Sequence, residues 1–287
     1  MNTKLTVSRT LLKRILFVQF FFCAFSYHSF PQFILKGTIR NETDDKPVAY
    51  ASIGIKGKKA GGIADSSGHF KISFPSFVKK NDTVIISSLG FESIRVPVNT
   101  VISESEFKLK IFPKTLDPVT VRTFFNQNAI DINSEGFEFF RGWYNVMTGG
   151  EIGRILEVPH EEYQIEKIRF KTDNKCDTCL IRLHIREVIN DLPGKEILKD
   201  NIIIPISSLT SKDKSPEFDL HDYNIVLADK KIYIGFEVIN CHSEVSGIKS
   251  LCFVGTEFGQ YVYKTFVDAT WEKDEMYSIY VQLSLKY

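Results

Sequence analysis

The N-terminal half of the chain carries five segments in this order: LKGTI (residues 35–39), KPVAYASI (46–53), GGIADSSGHFKISF (61–74), DTVIISSLGFES (82–93) and LDPVTV (116–121). Apolar and polar residues alternate along them, which is the period of a strand with one buried face. The alternation predicts strands at Ile34–Arg40, Ala49–Ile55, His69–Phe74, Thr83–Ser87 and Phe107–Ile111. Between them, Asp65 suits an Asx-turn and Gly68 tolerates a positive φ. Short strands separated by such turns predict a β-sandwich.

The order of these pieces resembles the carboxypeptidase regulatory-like domain, a small sandwich with a transthyretin-like (prealbumin-like) fold. The resemblance is carried by Gly37 and Ile39, Pro47-Val48-Ala49, Asp65…Gly68…Phe70, Ser88-Leu89-Gly90-Phe91 and Leu116-Asp117-Pro118-Val119. It implies a non-catalytic module over residues 31–121, found in exported bacterial proteins beside a second module with the specific function. Gly37, Asp65, Gly68 and Gly90 would be its structural turn residues. Ala64, where the family usually has Thr, and Pro118 are departures that leave the assignment in place.

The first residues of the chain have the layout of a signal peptide. Lys4, Arg9, Lys13 and Arg14 precede an apolar run from Ile15 to Phe25, and no acidic residue occurs before Glu42. The run is short for a membrane span. We therefore expect a signal peptide over residues 1–29, cut after Ser26 or a few residues later, with an uncleaved anchor as the alternative. Three Phe residues before Cys23 disfavour lipidation at that cysteine.

The charge balance argues against nucleic acid as a partner. The chain has 36 Lys and Arg against 35 Asp and Glu. Removal of residues 1–26 takes four positive charges and leaves 32 against 35, a net charge of −3. Such a chain offers no basic field for phosphates. The mature chain also has no long apolar stretch. We therefore expect an exported protein without an integral membrane span, in the periplasm or on the outer-membrane surface of a Gram-negative bacterium.

The C-terminal half predicts a second all-β module. Alternation stops at residues 122–135, which we interpret as a linker, and residues 136–287 are again rich in strands. The predicted strands are Ile152–Val158, Gln164–Lys171, Leu180–Glu187, Ile202–Ile206, Asn224–Leu227, Ile232–Ile239 and Ser278–Leu285. A strong turn signal lies at Asp191-Leu-Pro193-Gly194, and a moderate one at residues 173–175. We expect two sandwiches in all, the second an antiparallel one of jelly-roll type.

Four cysteines follow the signal region: Cys176, Cys179, Cys241 and Cys252. An even count in an exported protein favours disulfides, and four cysteines allow three pairings. Local pairing would join Cys176 to Cys179 and Cys241 to Cys252, leaving no thiol. A zinc site is the rival interpretation, but the last two cysteines do not form a second CxxC. A thioredoxin-like site would need the CxxC at a helix start.

The tests for an active site give no catalytic residue, metal or cofactor. His184-Ile-Arg-Glu187 spells the HxxE motif of zinc carboxypeptidases. Residues three apart on a strand point to opposite faces, so we expect His184 at the surface with Arg182 and Arg186. The sequence has no nucleophile elbow, P-loop or dinucleotide fingerprint. Scattered carboxylates (Glu135, Glu138, Glu161, Glu162, Asp219 and Asp222) are expected to be solvated.

Two further sets of residues are weighed as ligand sites. Asp173, Asn174 and Asp177 would offer calcium oxygens, but a plain turn is the preferred interpretation. Aromatic residues of the second module, above all Trp143, Tyr144 and Trp271, are candidates for stacking against sugar rings, although most aromatics of a sandwich are core.

Three functional hypotheses follow from the sequence. The first is a non-catalytic envelope protein: the regulatory-like domain is a spacer or docking module, and the second sandwich binds another envelope protein. The family resemblance alone implies an outer-membrane transport system as one source of that partner. The second is a carbohydrate-binding, lectin-like surface protein. The third, a hydrolase, has the least support because no catalytic constellation is present.

Overall fold

A computed structural model describes residues 33–101, 106–112, 127–131, 139–144, 148–174, 176–207, 217–243, 250–257 and 259–287. The predicted signal peptide and the predicted closing strand at Leu116 lie outside these residues. Almost all of the described elements are strands, so the predicted all-β fold class is confirmed. Among the described residues, no helix has the length and apolarity needed to cross a membrane.

The N-terminal sandwich consists of two sheets with a mostly antiparallel arrangement. Its strands are β1 (Phe33–Asn41), β2 (Ser52–Ile55), β3 (Gly61–Ile63), β4 (His69–Phe74), β5 (Thr83–Ser87), β6 (Ile94–Pro97) and β7 (Glu106–Leu109), with a one-turn helix α1 (Val98–Val101). The first sheet has the order β4-β1-β7 and the second β3-β2-β5-β6. Only the β1–β7 pairing in these sheets is parallel.

The core of the N-terminal sandwich lies between these sheets. Strand β4 shows why the sequence folds this way, since its burial alternates strictly and places Phe70, Ile72 and Phe74 inside. The other sheet contributes Ile53 and Ile86, which are fully buried. Every buried member of this cluster lies between residues 35 and 109. The sandwich therefore has a hydrophobic core of its own, as a domain does.

In the described part of the second block, sixteen strands form three sheets. They are β8 (Gln127–Asp131), β9 (Phe139–Tyr144), β10 (Glu151–Glu157), β11 (Tyr163–Phe170), β12 (Thr172–Asn174), β13 (Thr178–Ile189), β14 (Leu192–Glu196), β15 (Ile203–Ser207), β16 (Glu217–Asp219), β17 (Ile225–Leu227), β18 (Lys231–His242), β19 (Ser250–Glu257), β20 (Tyr261–Lys264), β21 (Glu272–Asp274), β22 (Tyr277–Ile279) and β23 (Val281–Lys286). A 3-10 turn spans His221–Tyr223.

A seven-stranded sheet dominates this second sandwich. Its order is β14-β13-β18-β10-β20-β21, and β15 also pairs with β13. The other sheets run β16-β11-β23-β8, with β17 on β11, and β12-β19-β22, with β9 on β19. The longest strands, β13 and β18, pair along most of their length. Their inner faces bury residues such as Leu183 and Phe236 in the second core, and their outer faces carry charge.

Two local predictions in the second block differ from the structure. Within the predicted linker 122–135, Gln127–Asp131 form β8, which pairs with β23. The turn expected at Pro193-Gly194 lies earlier, because Asn190 and Asp191 take φ of 51° and 53° between β13 and β14. Two such residues are what a tight type I′ hairpin turn requires. Pro193 and Gly194 instead lie within β14.

Of the predicted turn residues of the first sandwich, Asp65, Gly68 and Gly90 lie at turns and Gly37 does not. Asp65 Oδ1 accepts from the backbone N–H of Ser67 at 2.8 Å and of His69 at 2.9 Å, which is Asx-turn geometry. Gly68 and Gly90 take φ of 73° and 84°. Gly37, expected among the turn residues, lies instead inside β1 opposite Phe70.

Gly68→Ala should destabilise the protein by about 2 kcal/mol or more, because a Cβ adds steric conflict to an unfavourable φ. A Cβ on Gly68 would lie 2.4 Å from the carbonyl oxygen of Ile39. Gly90→Ala is the matched control, since a Cβ there meets nothing within 4 Å, and should cost only about 1 kcal/mol. Urea unfolding of both variants compares the losses, and equal losses would contradict the steric argument.

Candidate functional site

Four charged residues form a row across the outer face of the seven-stranded sheet. Arg182 of β13 lies opposite Glu237 of β18, Glu237 lies opposite Glu151 of β10, and Glu151 lies opposite Lys264 of β20. Directly opposed residues place their side chains on the same face. All four are buried. The row therefore sets two carboxylates side by side, with one cation at each end.

Glu237 is held by three different groups. Arg182 Nη1 donates to its Oε2 at 2.6 Å, and His184 Nε2 lies 3.1 Å from the same oxygen. The hydroxyl of Ser52 donates to Oε1 at 3.2 Å. Because Ser52 belongs to β2, this carboxylate joins the two sandwiches.

Arg182, the cation of this ion pair, also joins the second sandwich to the N-terminal one. Its Nη1 lies 3.2 Å from Ser52 Oγ, its Nη2 donates to the carbonyl of Tyr50, and its Nε donates to Asn201 Oδ1 at 2.7 Å. Tyr50 takes a φ of 56°, a conformation that non-glycine residues rarely adopt. The planar guanidinium thus binds a carboxylate, a hydroxyl, a carbonyl and an amide at the domain boundary.

The described structure corrects the prediction for His184. Its side chain is only 12% exposed, and its Nδ1 lies 2.5 Å from Glu196 Oε2 and 3.0 Å from Arg186 Nη2. The residue does share a face with Arg182 and Arg186, but the N-terminal sandwich lies over that face, and the Glu196 side chain of the neighbouring strand β14 contacts the imidazole. Alternation identifies which residues share a face and does not reveal whether another part of the chain covers it.

Glu151 is the other anionic centre of this site. Arg186 contacts both of its oxygens, with Nε at 3.2 Å and Nη2 at 3.3 Å, and Lys264 Nζ lies 2.9 Å from Oε2. We call the seven residues Glu151, Arg182, His184, Arg186, Glu196, Glu237 and Lys264 the interdomain cluster.

Two aromatic rings pack at the edge of the interdomain cluster. Lys264 Nζ lies 4.4 Å from the centroid of the Trp271 ring, and Tyr233 meets that ring edge-on at 5.4 Å. The Tyr233 ring fits because Gly153 and Gly235 lie opposite one another beside it. A Cβ at either glycine would come within 2.5 Å of the ring or its hydroxyl.

Electrostatics keep the buried carboxylates ionised. Burial raises the pKa of Glu237, but Arg182 and His184 outweigh it and lower that pKa to about 2. Burial likewise opposes ionisation of Glu151, yet Arg186, His184 and Lys264 hold its pKa well below the ordinary value. For His184, burial lowers the pKa, whereas the charge of Glu151 and the bonds to Glu196 and Glu237 raise it above 6.5 in the balance.

A cavity of about 300 Å³ lies between the two sandwiches over the interdomain cluster. The N-terminal sandwich lines it with Ser52, Ser87, Ser88, Leu89 and Ser93. Leu89 also packs against the core of the second sandwich. The N-terminal wall of the cavity is therefore mostly hydroxylic, and the opposite wall is charged except for Val267.

A second contact fixes the same interface. The backbone N–H of Gly57 donates to the carbonyl of Asp268 at 3.2 Å. Lys59 forms an ion pair with Glu272, which also accepts from Tyr263 at 2.9 Å. The N-terminal sandwich is thus attached at two places on one sheet of its neighbour.

The interdomain cluster lacks the connectivity of a hydrolytic triad. Glu237 lies between Ser52 and His184, so the hydroxyl donates to a carboxylate and not to the imidazole. The HxxE motif is not assembled either, because Glu187 shares the opposite face with Leu183 and Ile185 on β13. The described part of the cluster is a network of mutually satisfied charges.

The predicted aromatic ligand residues do not come together as a described stacking platform. Trp271 is half-buried, with Lys264 over its ring. Trp143 and Tyr144 lie in β9 opposite Leu251 and Ser250. Their side chains are outside what the structure describes.

The cysteine pairing differs from the local one that we predicted. Cys179 is bonded to Cys241, and these two residues lie directly opposite each other on β13 and β18. Cys176 and Cys252 are buried and stand outside this disulfide. Strand register, which brings together residues 62 positions apart, decides the pairing here.

The remaining candidates have structural roles or are exposed. Asn174 Oδ1 accepts from the backbone N–H of Cys176 at 2.9 Å, so this oxygen caps the bend and is not presented as a calcium ligand. Of the expected solvated carboxylates, Glu161, Asp219 and Asp222 are exposed. Glu135 and Glu138 lie outside the described residues.

Sequence reasoning missed Glu151, Glu237 and Lys264. One signal was present, because Glu237 interrupts the otherwise apolar run Ile232–Ile239. A carboxylate at such a position is buried only with a partner. The partner's identity depended on strand register and was not readable from the chain.

The comparisons with known proteins identify the first module. Residues 35–121 match the family model of the CarboxypepD_reg-like domain. The N-terminal sandwich is therefore a CarboxypepD_reg-like domain, and this domain family is non-catalytic. No curated protein sequence matches the chain.

Solved structures give only remote likenesses. A chain from the structure of the infectious bursal disease virus Gx strain is 10% identical with a TM-score of 0.26, over 88% of this chain and 62% of that one. A chain of the Gt strain is 8% identical with the same TM-score, over the same shares of the two chains. This chain thus spans less than two thirds of those viral chains, and likenesses at this level support no conclusion.

Arg182→Met should destabilise the protein by about 3 kcal/mol, because it leaves the buried Glu237 without its main cation. The matched control is Arg169→Met. Arg169 pairs with Glu217 on β16 at an exposed position, where the loss should be about 0–1 kcal/mol. Urea unfolding measures both, and a loss at Arg182 no larger than at Arg169 would show that the buried pair is not stabilising.

The raised pKa of His184 predicts that its contribution to stability is lost on raising pH. The folded protein binds the proton more tightly than the unfolded chain, so the contribution is complete below the ordinary pKa of 6.5 and fades as pH rises through the folded pKa. Unfolding free energies of wild type and His184→Gln should therefore converge as the pH rises above the ordinary pKa of 6.5 and through the folded pKa of His184. His69→Gln is the control, since His69 is 62% exposed. A constant difference for His184→Gln would contradict the assignment.

Proposed function

We propose that this chain is a non-catalytic, exported protein of the bacterial cell envelope. The CarboxypepD_reg-like domain acts as a rigid spacer, and the second sandwich binds another envelope protein. The observation that carries the proposal is the interdomain contact of Arg182 and Glu237 with Tyr50 and Ser52.

This contact supports a spacer of fixed orientation. Domains joined only by a flexible linker reorient freely unless their interface is substantial. Here a buried ion pair, a serine hydroxyl and a backbone carbonyl interlock, and Leu89 adds an apolar contact. The binding surface of the second sandwich is therefore presented at a constant angle to the N-terminal module.

The pairing of acidic and basic residues within the interdomain cluster supports a non-catalytic role. The network described above satisfies its acids and bases with one another, and Glu151 and Glu237 stay ionised far below neutral pH. A general base poised near neutrality needs a pKa near the working pH, which neither carboxylate has.

The second sandwich has an apolar surface that suits protein contact. Tyr223 and Val226 are exposed large side chains, and both border a groove of about 100 Å³ beside Leu198. Exposed aromatic and aliphatic anchors of this kind are enriched at protein interfaces. The carbohydrate alternative gains no comparable support, because Lys264 and Tyr233 occupy the ring of Trp271.

In-cell crosslinking of the tagged full chain, followed by capture and mass spectrometry, tests the proposal. We expect one defined envelope protein, and we expect its recovery to fall by at least about tenfold in the double variant Tyr223→Ser, Val226→Ser, since loss of an anchor pair costs 1.4 kcal/mol or more. Met276→Ser, which removes an exposed apolar side chain outside the groove, is the matched control.

The result that would overturn the proposal is equally specific. Recovery that is unchanged in a chain lacking residues 133–287 would place the contact in the N-terminal domain, which has its own core. Hydrolytic activity that depends on His184 or Glu237 would replace the binding role by an enzymatic one.

A further inference from the structure

Three cysteine sulfurs meet in the core of the second sandwich. The Sγ atoms of Cys176, Cys179 and Cys241 all lie within 4.8 Å of one another, and the three residues are buried. Cys179 and Cys241 form the disulfide, and Cys176 stands beside it. Cys252 is not part of this group.

The fold brings the third sulfur to the disulfide. Strand β12 ends at Asn174, and the chain crosses to the seven-stranded sheet, where β13 begins at Thr178. Cys176 lies in this crossing. Asn174 Oδ1 accepts a hydrogen bond from the backbone N–H of Cys176 and lies 3.4 Å from Cys179 Sγ. One amide side chain therefore contacts both cysteines.

We propose that these three residues form an internal thiol–disulfide exchange site. The Cys176 thiolate attacks Cys179 Sγ, a Cys176–Cys179 bond forms, the Cys179–Cys241 bond breaks, and the electron pair remains on Cys241 Sγ. The proton lost by Cys176 is taken up by Cys241. One disulfide is present before and after, so the step needs no oxidant or reductant.

The exchange changes what the disulfide connects. In the observed pairing it joins β13 to β18, whereas a Cys176–Cys179 bond would close only a CxxC loop. Leu180 of β13 and Ile239 and Asn240 of β18 are close in sequence to the bonded cysteines, and they line a second cavity of about 270 Å³ against the N-terminal sandwich. A shift of pairing therefore frees the end of β18 next to the interdomain contact. This inference is independent of the proposed binding partner.

The rate of exchange has a physical limit. The thiolate is the nucleophile, and burial disfavours the thiolate. Exchange therefore requires local opening of the β12–β13 crossing, and it should accelerate with rising pH because the thiolate fraction increases.

Peptide mapping of the full chain tests the site directly. Trypsin cuts after Lys175 and Arg182, which isolates Cys176 and Cys179 in one peptide, and after Lys231 and Lys249, which isolates Cys241 in another. The folded protein is incubated at several pH values, quenched with acid, alkylated in denaturant and digested. We expect a minor species in which peptide 176–182 is closed internally and Cys241 is alkylated, and we expect it to increase with pH. Its absence at every pH would overturn the proposal.

Two variants separate exchange from chance oxidation. Cys241→Ser, equilibrated with reduced and oxidised glutathione, should close Cys176–Cys179 in most molecules, whereas Cys176→Ser should retain Cys179–Cys241 alone. Cys252→Ser is the control and should leave the wild-type distribution unchanged. Alkylation of both Cys176 and Cys179 in Cys241→Ser would contradict the site, and the wild-type time course decides the matter if that variant does not fold.

Discussion

The buried ion pair of Arg182 and Glu237 is the interaction on which the arrangement of the two sandwiches depends. Removing two charges from water is costly, and their attraction compensates only when further hydrogen bonds complete the geometry. Here those bonds come from both modules, with Tyr50 and Ser52 on one side and Asn201 on the other. Each sandwich has its own core, but the charged row on the outer face of the seven-stranded sheet is buried because the N-terminal domain covers it.

The same constraint explains the local composition of that face. A sheet face that carries two adjacent carboxylates needs cations on its flanks, and Arg186 and Lys264 stand beside Glu151 for this reason. Gly153 and Gly235 give the sheet a flat surface on which the Tyr233 ring lies. Larger residues at these positions would displace the ring and, with it, the Trp271 contact that orients Lys264.

Much of the fold was predictable because a half-buried strand has a two-residue period. The segments His69–Phe74 and Thr83–Ser87 coincide with observed strands, and the first module was identified from an ordered set of turns. The linker strand, the Asn190-Asp191 turn, the Cys179–Cys241 bond and the burial of His184 escaped prediction. Three of these depend on a partner far along the chain: β23 for β8, Cys241 for Cys179, and the N-terminal sandwich for His184. The turn is local, and there the Pro-Gly signal pointed to the wrong residues. A sequence pattern reports the faces of a strand and carries no information on what covers them.

Charge pairing within the interdomain cluster also determines which surface of the molecule is suited to binding a partner. A ligand that entered the interdomain cavity would compete with carboxylates already bound by Arg182, Arg186 and Lys264, and it would have to supply equally good geometry. The exposed Tyr223 and Val226 have no such internal competitor, so binding there gains the full benefit of apolar burial. The energetics therefore favour a rigid interior that sets the geometry, and they are the reason for assigning the proposed protein contact to the peripheral surface.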